Sequence, residues 1–277
     1  MATVLPIGDV LIYPLYDSGW SFRPGELVPG IDQRAWRPWL RQAPADVVAS
    51  RVLAFACRAP ASLVLVDAGV GAWGYWPDGN GELMRSLAAV GIRPSDVDAV
   101  VITHPHPDHV GGCVLPDGTP AFENARYLIQ QRDWDHFTDP ARLPALAART
   151  RTAIESAVLP LVGLGVLDLV GPGDAVTPEI GFLPTPGHTP GSVTVRVRSG
   201  GSTALMIGDA AHHHAQLGEP EWSSVADLDP GGAADSRRRV VAEAVRVGAW
   251  VAGAHFERDA PAFARISDDD GVARWGS

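Results

Sequence analysis

The feature that most constrains the fold is the segment THPHPDHVGG at residues 103–112, which directly follows the apolar run 99–102. A short apolar run predicts a buried strand, so the polar segment is predicted to leave that strand as a loop. Side chains two positions apart in an extended chain project to the same side. We therefore expect His104, His106 and Asp108 to converge.

The rest of the segment supports the same interpretation. His109 breaks the alternation, so the chain is expected to turn there, and the following glycine pair permits a turn or a close approach. Pro105 and Pro107 restrict the backbone and are predicted to forbid a helix. Imidazole and carboxylate groups are the ligands of borderline divalent metals such as zinc. The segment therefore predicts a metal-binding loop rather than a set of ordinary hydrogen-bonding histidines.

Further donors are needed, because two ions each take about four to five donors, one of them water. Three candidates stand beside predicted strands: His188 in TPGHTPG, Asp209 in IGD and His255 in VAGAH. Each lies where a strand gives way to a loop, which is where α/β folds place their chemistry. Taken singly, each of these residues also suits a structural role.

In this order, the five histidines and two aspartates resemble the metallo-β-lactamase superfamily. The resemblance rests on THPHPDHVGG, TPGHTPG, the GD pair at 208–209 and His255, and it spans most of the chain. It implies an α/β fold, an αββα sandwich formed as a single domain over residues 1–277, with a cleft for metals at one edge of two packed sheets. It also implies two divalent ions, with Zn²⁺ preferred and Mn²⁺, Fe²⁺ or Co²⁺ as alternatives.

The resemblance further implies a role for each donor. The first metal would be bound by His104, His106 and His188, the second by Asp108, His109 and His255, and Asp209 would bridge both. Because His109 follows Asp108 and the pattern contains no cysteine nearby, the chain looks like the two-metal hydrolases rather than the antibiotic-degrading enzymes.

Within the superfamily, the chain is most similar to the methyl parathion hydrolase and N-acyl-homoserine lactonase group. The segment from Gly208 to His212 resembles the hydrolase more than the lactonases, which have a Tyr where this chain has His212. The charged segment after His255 departs from the apolar one expected there. Of the consecutive histidines His212, His213 and His214, one is expected to reach the site.

A hydroxide between two divalent ions is a strong nucleophile, because coordination lowers the pKa of water from about 15.7 to near 7. The sequence therefore predicts a dinuclear metal-dependent hydrolase that acts on an ester, lactone or related bond. Asp108 and His212 are the candidates for passing a proton to the leaving group. The alternatives are a thioesterase or cyclase of secondary metabolism, a phosphotriesterase, a mononuclear iron sulfur dioxygenase and a non-catalytic metal-binding protein.

Aromatic residues are the candidates for the substrate pocket. Residues 17–44 are rich in Pro, Gly, Arg and Trp without clear periodicity, and they predict a long loop within the domain. The predicted pocket residues are Trp20 and Phe22 in this loop, Trp73 in a glycine-rich loop with Tyr75 and Trp76, and Trp134 and Phe137 after the strand at 125–130. These rings either line the pocket or simply close the core.

Composition limits the partners. A net charge of −10 and an aromatic-lined mouth favour a neutral or apolar small molecule over nucleic acid. All 22 basic residues are Arg, which excludes lysine-based catalysis, and the run 237–239 is predicted to be a solvated helix face. Two cysteines, no signal-peptide pattern and no apolar run of membrane-spanning length predict a cytoplasmic protein without a membrane partner. A homodimer is left open, because surplus tryptophans suit an interface.

The remaining pattern predicts alternating strands and helices. One or two strands are expected at 3–16, a hairpin at 47–66 and a helix at 82–90. A helix at 141–159 is expected to be interrupted by Pro144 and ended by Pro160, and another is expected at 236–247. The segment after Ile266 is predicted to be peripheral.

Overall fold

The computed structural model describes residues 3–41, 46–74, 81–269 and 272–276, so Tyr75, Trp76 and residues 42–44 lie outside the described part. The strands are β1 (Leu5–Ile7), β2 (Val10–Phe22), β3 (Val48–Arg58), β4 (Leu63–Val66), β5 (Ala99–Val101), β6 (Arg126–Gln130), β7 (Leu167–Val170), β8 (Ile180–Pro184), β9 (Val193–Ser199), β10 (Ser202–Met206), β11 (Trp250–Ala252), β12 (Ala264–Asp269) and β13 (Val272–Trp275). The helices are α1 (Pro24–Leu27), α2 (Gln33–Trp36), α3 (Leu83–Ala89), α4 (Pro107–Val110), α5 (Gln131–Phe137), α6 (Ala148–Ala153), α7 (Pro160–Gly163), α8 (Ala215–Gly218) and α9 (Pro230–Val247). A π-helical segment, Ile154–Val158, joins α6 to α7, and short 3₁₀ turns occur at Arg37–Trp39, Pro94–Asp96, Leu143–Ala145 and Gly208–Ala210.

The strands form two sheets. The first has seven strands in chain order from β1 to β7, and the second has six in the order β13-β12-β11-β10-β9-β8. Apolar side chains of both sheets share one buried cluster, which includes Phe55 and Val64 from the first sheet and Val195 and Met206 from the second. The sheets therefore pack face to face around the central core.

Helices cover the two outer faces. On the first sheet, apolar residues of α3 and of the α6–α7 region join a buried cluster with β4, β5 and β6. On the second sheet, α9 packs against β10 and β11 through residues such as Val240. This arrangement confirms the predicted αββα sandwich.

The strand directions bring the candidate donors to one edge. Strands β4, β5 and β6 are parallel neighbours, and β10 and β11 are a parallel pair. Asp67 and the segment 103–112 follow β4 and β5, whereas Asp209 and His255 follow β10 and β11. Carboxyl ends of parallel strands lie at the same edge of a sheet, so these residues are neighbours.

The prediction of a long loop over 17–44 is wrong for its first part. Strand β2 continues to Phe22, which pairs with Val48 of β3. The register shifts between Tyr16 and Ser18, which indicates a β-bulge at Asp17. The strand therefore continues through the position at which the sequence predicted its end. The short helices α1 and α2 follow, so the segment has more regular structure than its composition indicated.

Two other boundaries differ from prediction. Pro160 begins α7 instead of ending the helix, because proline is well tolerated at the first helical position. Helix α9 begins at Pro230, six residues before the predicted start, and the Asp229 side chain caps it by accepting a hydrogen bond from the Gly232 N–H at 3.1 Å.

The segment after Ile266 is not peripheral. It forms the hairpin β12–β13, in which the Trp275 side chain is only 4% exposed. The indole Nε1–H of Trp275 donates to the Val251 carbonyl at 2.9 Å, and its ring contacts that of Phe256. Among the described residues, no helix is long and apolar enough to cross a membrane.

Candidate metal centre

Three of the predicted ligands form a tight cluster. The Nε2 atoms of His104 and His188 lie 3.2 Å apart, and the Nδ1 atom of His106 lies 3.0 Å from the first and 2.9 Å from the second. Asp209 Oδ2 lies 3.6 Å from His104 Nε2 and 3.3 Å from His188 Nε2. The structure therefore brings together the four donors predicted for the first metal.

A second cluster adjoins the first. His109 Nε2 and His255 Nε2 lie 3.3 Å apart, and Asp108 Oδ2 lies 3.7 Å from the first and 3.2 Å from the second. The other oxygen of Asp209, Oδ1, lies 3.2 Å from His109 Nε2 and 3.0 Å from His255 Nε2. The Asp209 carboxylate thus faces one cluster with each oxygen, which is the arrangement of a bridging ligand.

The donor set fits a pair of divalent ions. Ligands about 2.0–2.1 Å from a tetrahedral zinc ion lie about 3.3 Å from each other, close to the separations within each cluster. Asp209 Oδ1 is buried and has no hydrogen-bond partner among the described residues, which is costly unless a cation balances it. Imidazole and carboxylate donors without thiolate favour zinc, manganese, iron or cobalt over copper(I).

The Nδ1 atoms of four histidines have hydrogen-bond partners that fix the ring orientation. These contacts join His104 to Thr103 Oγ1 at 3.2 Å, His109 to Asp67 Oδ2 at 2.8 Å, His188 to Asp227 Oδ1 at 3.2 Å and His255 to the Arg51 carbonyl at 3.3 Å. When Nδ1 is held in this way, Nε2 is turned toward the site as a potential ligand atom.

The charge balance of the clusters is visible in the pKa shifts. Burial lowers the pKa of His104 well below its usual value, and neighbouring imidazoles lower it further. Burial alone would also lower the pKa of His109, but the carboxylates of Asp209, Asp67 and Asp108 together raise it well above the usual value. The carboxylates therefore attract positive charge at the second cluster, whereas burial keeps imidazoles of the first cluster neutral, the form that binds metals.

The segment that carries four donors contains a helical turn, contrary to the prediction. Helix α4 begins at Pro107, where the missing N–H of proline leaves no helical hydrogen bond unmade. The turn lets Asp108 and His109, adjacent in sequence, both reach the second cluster. Asp67, which has a φ of 62°, accepts hydrogen bonds from the Thr103 N–H and hydroxyl at 2.8 and 2.9 Å and so anchors the start of the segment.

The structure separates the three consecutive histidines. His212 lines the cavity in front of the clusters, and its Nε2 lies 3.2 Å from Asp209 Oδ2. His213 and His214 point away from the clusters toward the buried Glu257, at 3.8 and 3.4 Å. Burial lowers the pKa of His213 to about 4, and the two histidines keep the pKa of Glu257 well below its usual value despite burial.

A cavity of about 350 Å³ opens in front of the two clusters. Among the predicted pocket aromatics, Trp20 lines it. Beside the donor residues, His212 and Pro107, the rest of the wall consists of residues that the sequence did not indicate: Leu27, Arg149, Thr150, Ser224, Val225 and Ala226.

The other four predicted pocket aromatics do not line this cavity, and their assignment to a substrate pocket stays a prediction. Phe22 packs against Trp36 and His213, and the Trp73 indole donates to the Gly111 carbonyl at 2.9 Å. Trp134 packs against the outer core of the first sheet. Phe137 is buried, and its ring lies edge to face with that of His106, with 5.8 Å between the ring centroids. All four rings pack within or against the hydrophobic core. Sequence position alone does not reveal whether an aromatic ring packs in the core or lines a cavity.

Residues 52–255 match the metallo-β-lactamase superfamily. The chain belongs to this superfamily. The resemblance that the donor motifs carry is therefore confirmed, and the match runs from strand β3 to the last predicted ligand.

Relatives within the superfamily include an N-acyl homoserine lactonase from a Bacillus species, which is 27% identical over 133 residues. That alignment covers 47% of this chain and 45% of the lactonase, so the chain spans about half the length of the curated relatives it matches. A crystal structure of the hydrolase AbOPH in the β-lactamase superfamily has a TM-score of 0.87 and 27% identity, covering 99% of this chain and 97% of that one. AidC, described as a dizinc quorum-quenching lactonase, has a TM-score of 0.84 and 20% identity over 99% of this chain and 96% of its own.

Proposed function

We propose that the protein is a metal-dependent hydrolase of esters or lactones that uses two divalent ions, with zinc preferred. The observation that carries the proposal is the Asp209 carboxylate, whose two oxygens each face a separate group of three further donors. The likeness to an N-acyl homoserine lactonase, which covers 45% of that protein, supports the bond class.

The residues of the site divide the work. His104, His106 and His188 would hold one ion, Asp108, His109 and His255 the other, and Asp209 would bridge them. When bound, such ions supply a water that ionises near neutral pH and positive charge beside the substrate's carbonyl oxygen. The apolar wall, which includes Trp20, Leu27 and Val225, would hold the rest of a small, largely neutral substrate.

The leaving group needs a proton, and two residues are placed to supply it. Asp108 lines the cavity with a 13% exposed side chain, and the His212 ring forms part of the same wall. His212 Nδ1 is buried and has no hydrogen-bond partner among the described residues, whereas Nε2 of the same ring lies 3.2 Å from Asp209 Oδ2. We assign the proton transfer to His212, because Asp108 is a proposed ligand of the second ion, whereas His212 is not a ligand in this proposal.

The proposal is tested by measuring the metal content of protein purified without added metal. The same preparation is assayed on a lactone, an aryl ester, a thioester and a phosphotriester. We expect about two zinc or similar ions per chain, and hydrolysis of the lactone or aryl ester that chelation abolishes and added zinc restores. Asp209→Ala is expected to lose both the ions and the activity.

Other outcomes would assign the site differently. One iron per chain with consumption of oxygen would replace this proposal with a sulfur dioxygenase. A strong preference for the thioester would favour the thioesterase alternative, and turnover that survives full metal removal would contradict the proposal outright. Light scattering of the same preparation tests the homodimer.

A further inference from the structure

Arg237 of helix α9 lies behind the first cluster, although its position in a run of three arginines predicted a solvated face. Its side chain is fully buried, and its guanidinium makes four hydrogen bonds. Nε donates to the Pro220 carbonyl at 2.8 Å, Nη1 to the Ala210 carbonyl at 3.3 Å and to Asp227 Oδ2 at 3.2 Å, and Nη2 to Ser223 Oγ at 3.1 Å. Burying a guanidinium is costly unless its N–H groups have hydrogen-bond acceptors, so these four hydrogen bonds make the burial of Arg237 possible.

Asp227 connects Arg237 to the first cluster. Its Oδ2 faces Arg237, and its Oδ1 lies 3.2 Å from Nδ1 of His188. Both side chains of the Arg237–Asp227 pair are completely buried. A carboxylate held in this orientation accepts the Nδ1–H of His188, which leaves the Nε2 lone pair directed at His104 and His106.

The same guanidinium holds the wall of the cavity. The segment 220–227 is fixed at one end by the Pro220 carbonyl and at the other by Asp227, and between them it supplies Ser224, Val225 and Ala226 to the wall. The next residues are joined to the loop of His188, because the N–H groups of Leu228 and Asp229 donate to the carbonyls of residues 188 and 187 at 3.2 and 2.8 Å.

We propose that Arg237 is a positioning residue that couples the cavity wall at 224–226 to the orientation of His188 through Asp227. This inference rests on the proposed function, because it assumes that His188 binds a metal ion. It assigns two separable tasks to one side chain. The pairing with Asp227 supports the metal site, whereas the contacts with Pro220 and Ser223 support the wall that a substrate meets.

Three variants separate these tasks. Asp227→Asn keeps the size of the side chain and leaves the contacts of Arg237 with Pro220 and Ser223, but it removes the charge that favours Nδ1–H on His188. Arg237→Lys keeps a positive charge near Asp227, but a single nitrogen cannot also bind Pro220 and Ser223 in the fork geometry of arginine. Arg237→Met loses both sets of contacts. Arg246→Met is the matched control, because Arg246 is exposed on the same helix and pairs with Glu243 of that helix at 2.6 Å.

The measurements are the affinity for each zinc ion by competition with a chelator, and kcat and KM on the best substrate of the panel. For Asp227→Asn we expect about 10- to 100-fold weaker binding of one of the two ions, the usual effect of removing a hydrogen-bond partner of a metal-binding histidine. For Arg237→Lys we expect a rise in KM of about three- to tenfold with a smaller change in zinc affinity. Arg237→Met should show both effects, and Arg246→Met neither.

A purely structural role is distinguished by two further readouts on metal-free protein. Two-dimensional ¹H–¹⁵N NMR of the imidazoles should show His188 as the Nδ1–H tautomer in the wild type and a changed tautomer in Asp227→Asn. Circular dichroism and thermal unfolding identify any variant that fails to fold, and Asp227→Asn then carries the test if Arg237→Met does not fold.

The outcomes separate this inference from the proposed function. Wild-type protein that binds no divalent ion contradicts the proposed function itself. Wild-type protein that binds two ions, with folded Asp227→Asn and Arg237→Lys variants of unchanged zinc affinity, KM and His188 tautomer, overturns the positioning role of Arg237 alone.

Discussion

Asp67 shows how a single residue prepares the site. Its φ of 62° lies in the left-handed region, which an L-residue other than Gly adopts at a cost, and Asp and Asn tolerate it best. In this conformation one carboxylate binds the backbone and hydroxyl of Thr103 and also Nδ1 of His109. The local cost is thus offset by three hydrogen bonds that orient a predicted ligand of the second ion.

Replacing Asp67 by Asn tests this role. Asn retains the backbone conformation but places an N–H₂ group among partners that all donate, so His109 is driven toward the tautomer whose Nε2 carries the proton. We expect the affinity for one of two zinc ions to fall about 10- to 100-fold, measured by chelator competition. Asp98→Asn is the control, because Asp98 accepts a backbone bond from Leu63 at 2.8 Å and is absent from both clusters. Equal zinc affinities in the two variants would contradict the role.

The proton donor is tested at His212. Loss of a general acid slows reactions in proportion to how poor the leaving group is, because a good leaving group departs without a proton. For His212→Phe we expect kcat to fall about 10²-fold or more on an alkyl ester or lactone, and only a few-fold on a 4-nitrophenyl ester. His136→Phe, on helix α5 and outside the cavity wall, should leave both rates unchanged. Equal losses on both leaving groups would point instead to a positional effect of the ring.

At the scale of elements, the loop TPGHTPG depends on its contact with helix α9. Gly187 has a φ of 134°, and a Cβ atom there would overlap the backbone of Ala233. The loop must therefore lie directly against the first turn of α9, which presents His188 beside Asp227. A glycine is required here for space as well as for conformation.

Gly187→Ala and Gly165→Ala form a matched pair. Gly165 also has a positive φ, of 70°, but a Cβ there meets no atom within 4 Å. We expect Gly165→Ala to lower the free energy of unfolding by about 1–2 kcal/mol, the conformational cost alone. Gly187→Ala should lower it by about 1–3 kcal/mol more, because its φ of 134° lies outside the left-handed helical region and the backbone of α9 must move. Urea denaturation measures both, and equal losses would show that the contact with α9 is not limiting.

The other side of this loop is held by Asp133 of helix α5. Its carboxylate accepts hydrogen bonds from the Thr189 hydroxyl and the Gly191 N–H, at 2.7 and 2.6 Å. Burial raises its pKa to about 7 from 3.8, although both hydrogen bonds lower it. Between these two values the unfolded chain releases a proton that the folded protein keeps, so this group makes folding less favourable as the pH rises.

Comparison with Asp133→Asn isolates the effect. In metal-free protein, we expect the unfolding free energy of the wild type to fall relative to that of the variant between about pH 4 and pH 7, by at most about 1.4 kcal/mol per pH unit. The difference between the two proteins should then level off above about pH 7. Urea denaturation across this range provides the measurement, and a difference independent of pH would mean that Asp133 titrates normally.

The donor motifs were predictable because their spacing is local. Residues 103–109 and the positions of Asp209 and His255 follow strands whose apolar runs are clear in the sequence. The orientation of the consecutive histidines was not predictable, because it depends on Gln216, whose Oε1 accepts the N–H groups of His212 and His213 at 2.8 and 3.2 Å.

The features that the sequence did not predict depend on contacts between residues far apart in the chain. Arg237 occurs in a basic run typical of a solvated helix face, and only the carbonyls and the carboxylate gathered around it make its burial favourable. The strand at 17–22 was missed because Asp17 and Gly19 suggest a break, whereas pairing with β3 carries the strand through a bulge. Trp275 likewise depends on a distant partner, the Val251 carbonyl.

At the scale of the molecule, each of the two donor clusters combines residues from both sheets. His104, His106, Asp108 and His109 follow a strand of the first sheet, whereas His188, Asp209 and His255 belong to loops of the second. Each proposed ion would therefore be held by donors from both sheets. Because these donors are separate in the unfolded chain, metal binding would stabilise the whole fold.

The number of ions that bind the folded protein can be read from how steeply the unfolding free energy rises with the concentration of free zinc. An ion that binds only the folded state adds about 1.4 kcal/mol to the unfolding free energy for each tenfold increase in free zinc above its Kd, so two ions add about 2.7 kcal/mol. For the wild type, urea unfolding at buffered zinc concentrations should give a slope of about 2.7 kcal/mol per tenfold increase in free zinc. For His188→Ala, which removes a ligand of the first ion, we expect about half of this slope. A wild-type slope near 1.4 kcal/mol would mean that one ion suffices to join the sheets. Asp209 would then be a ligand to a single metal, and the bridging role on which the proposed function rests would be lost.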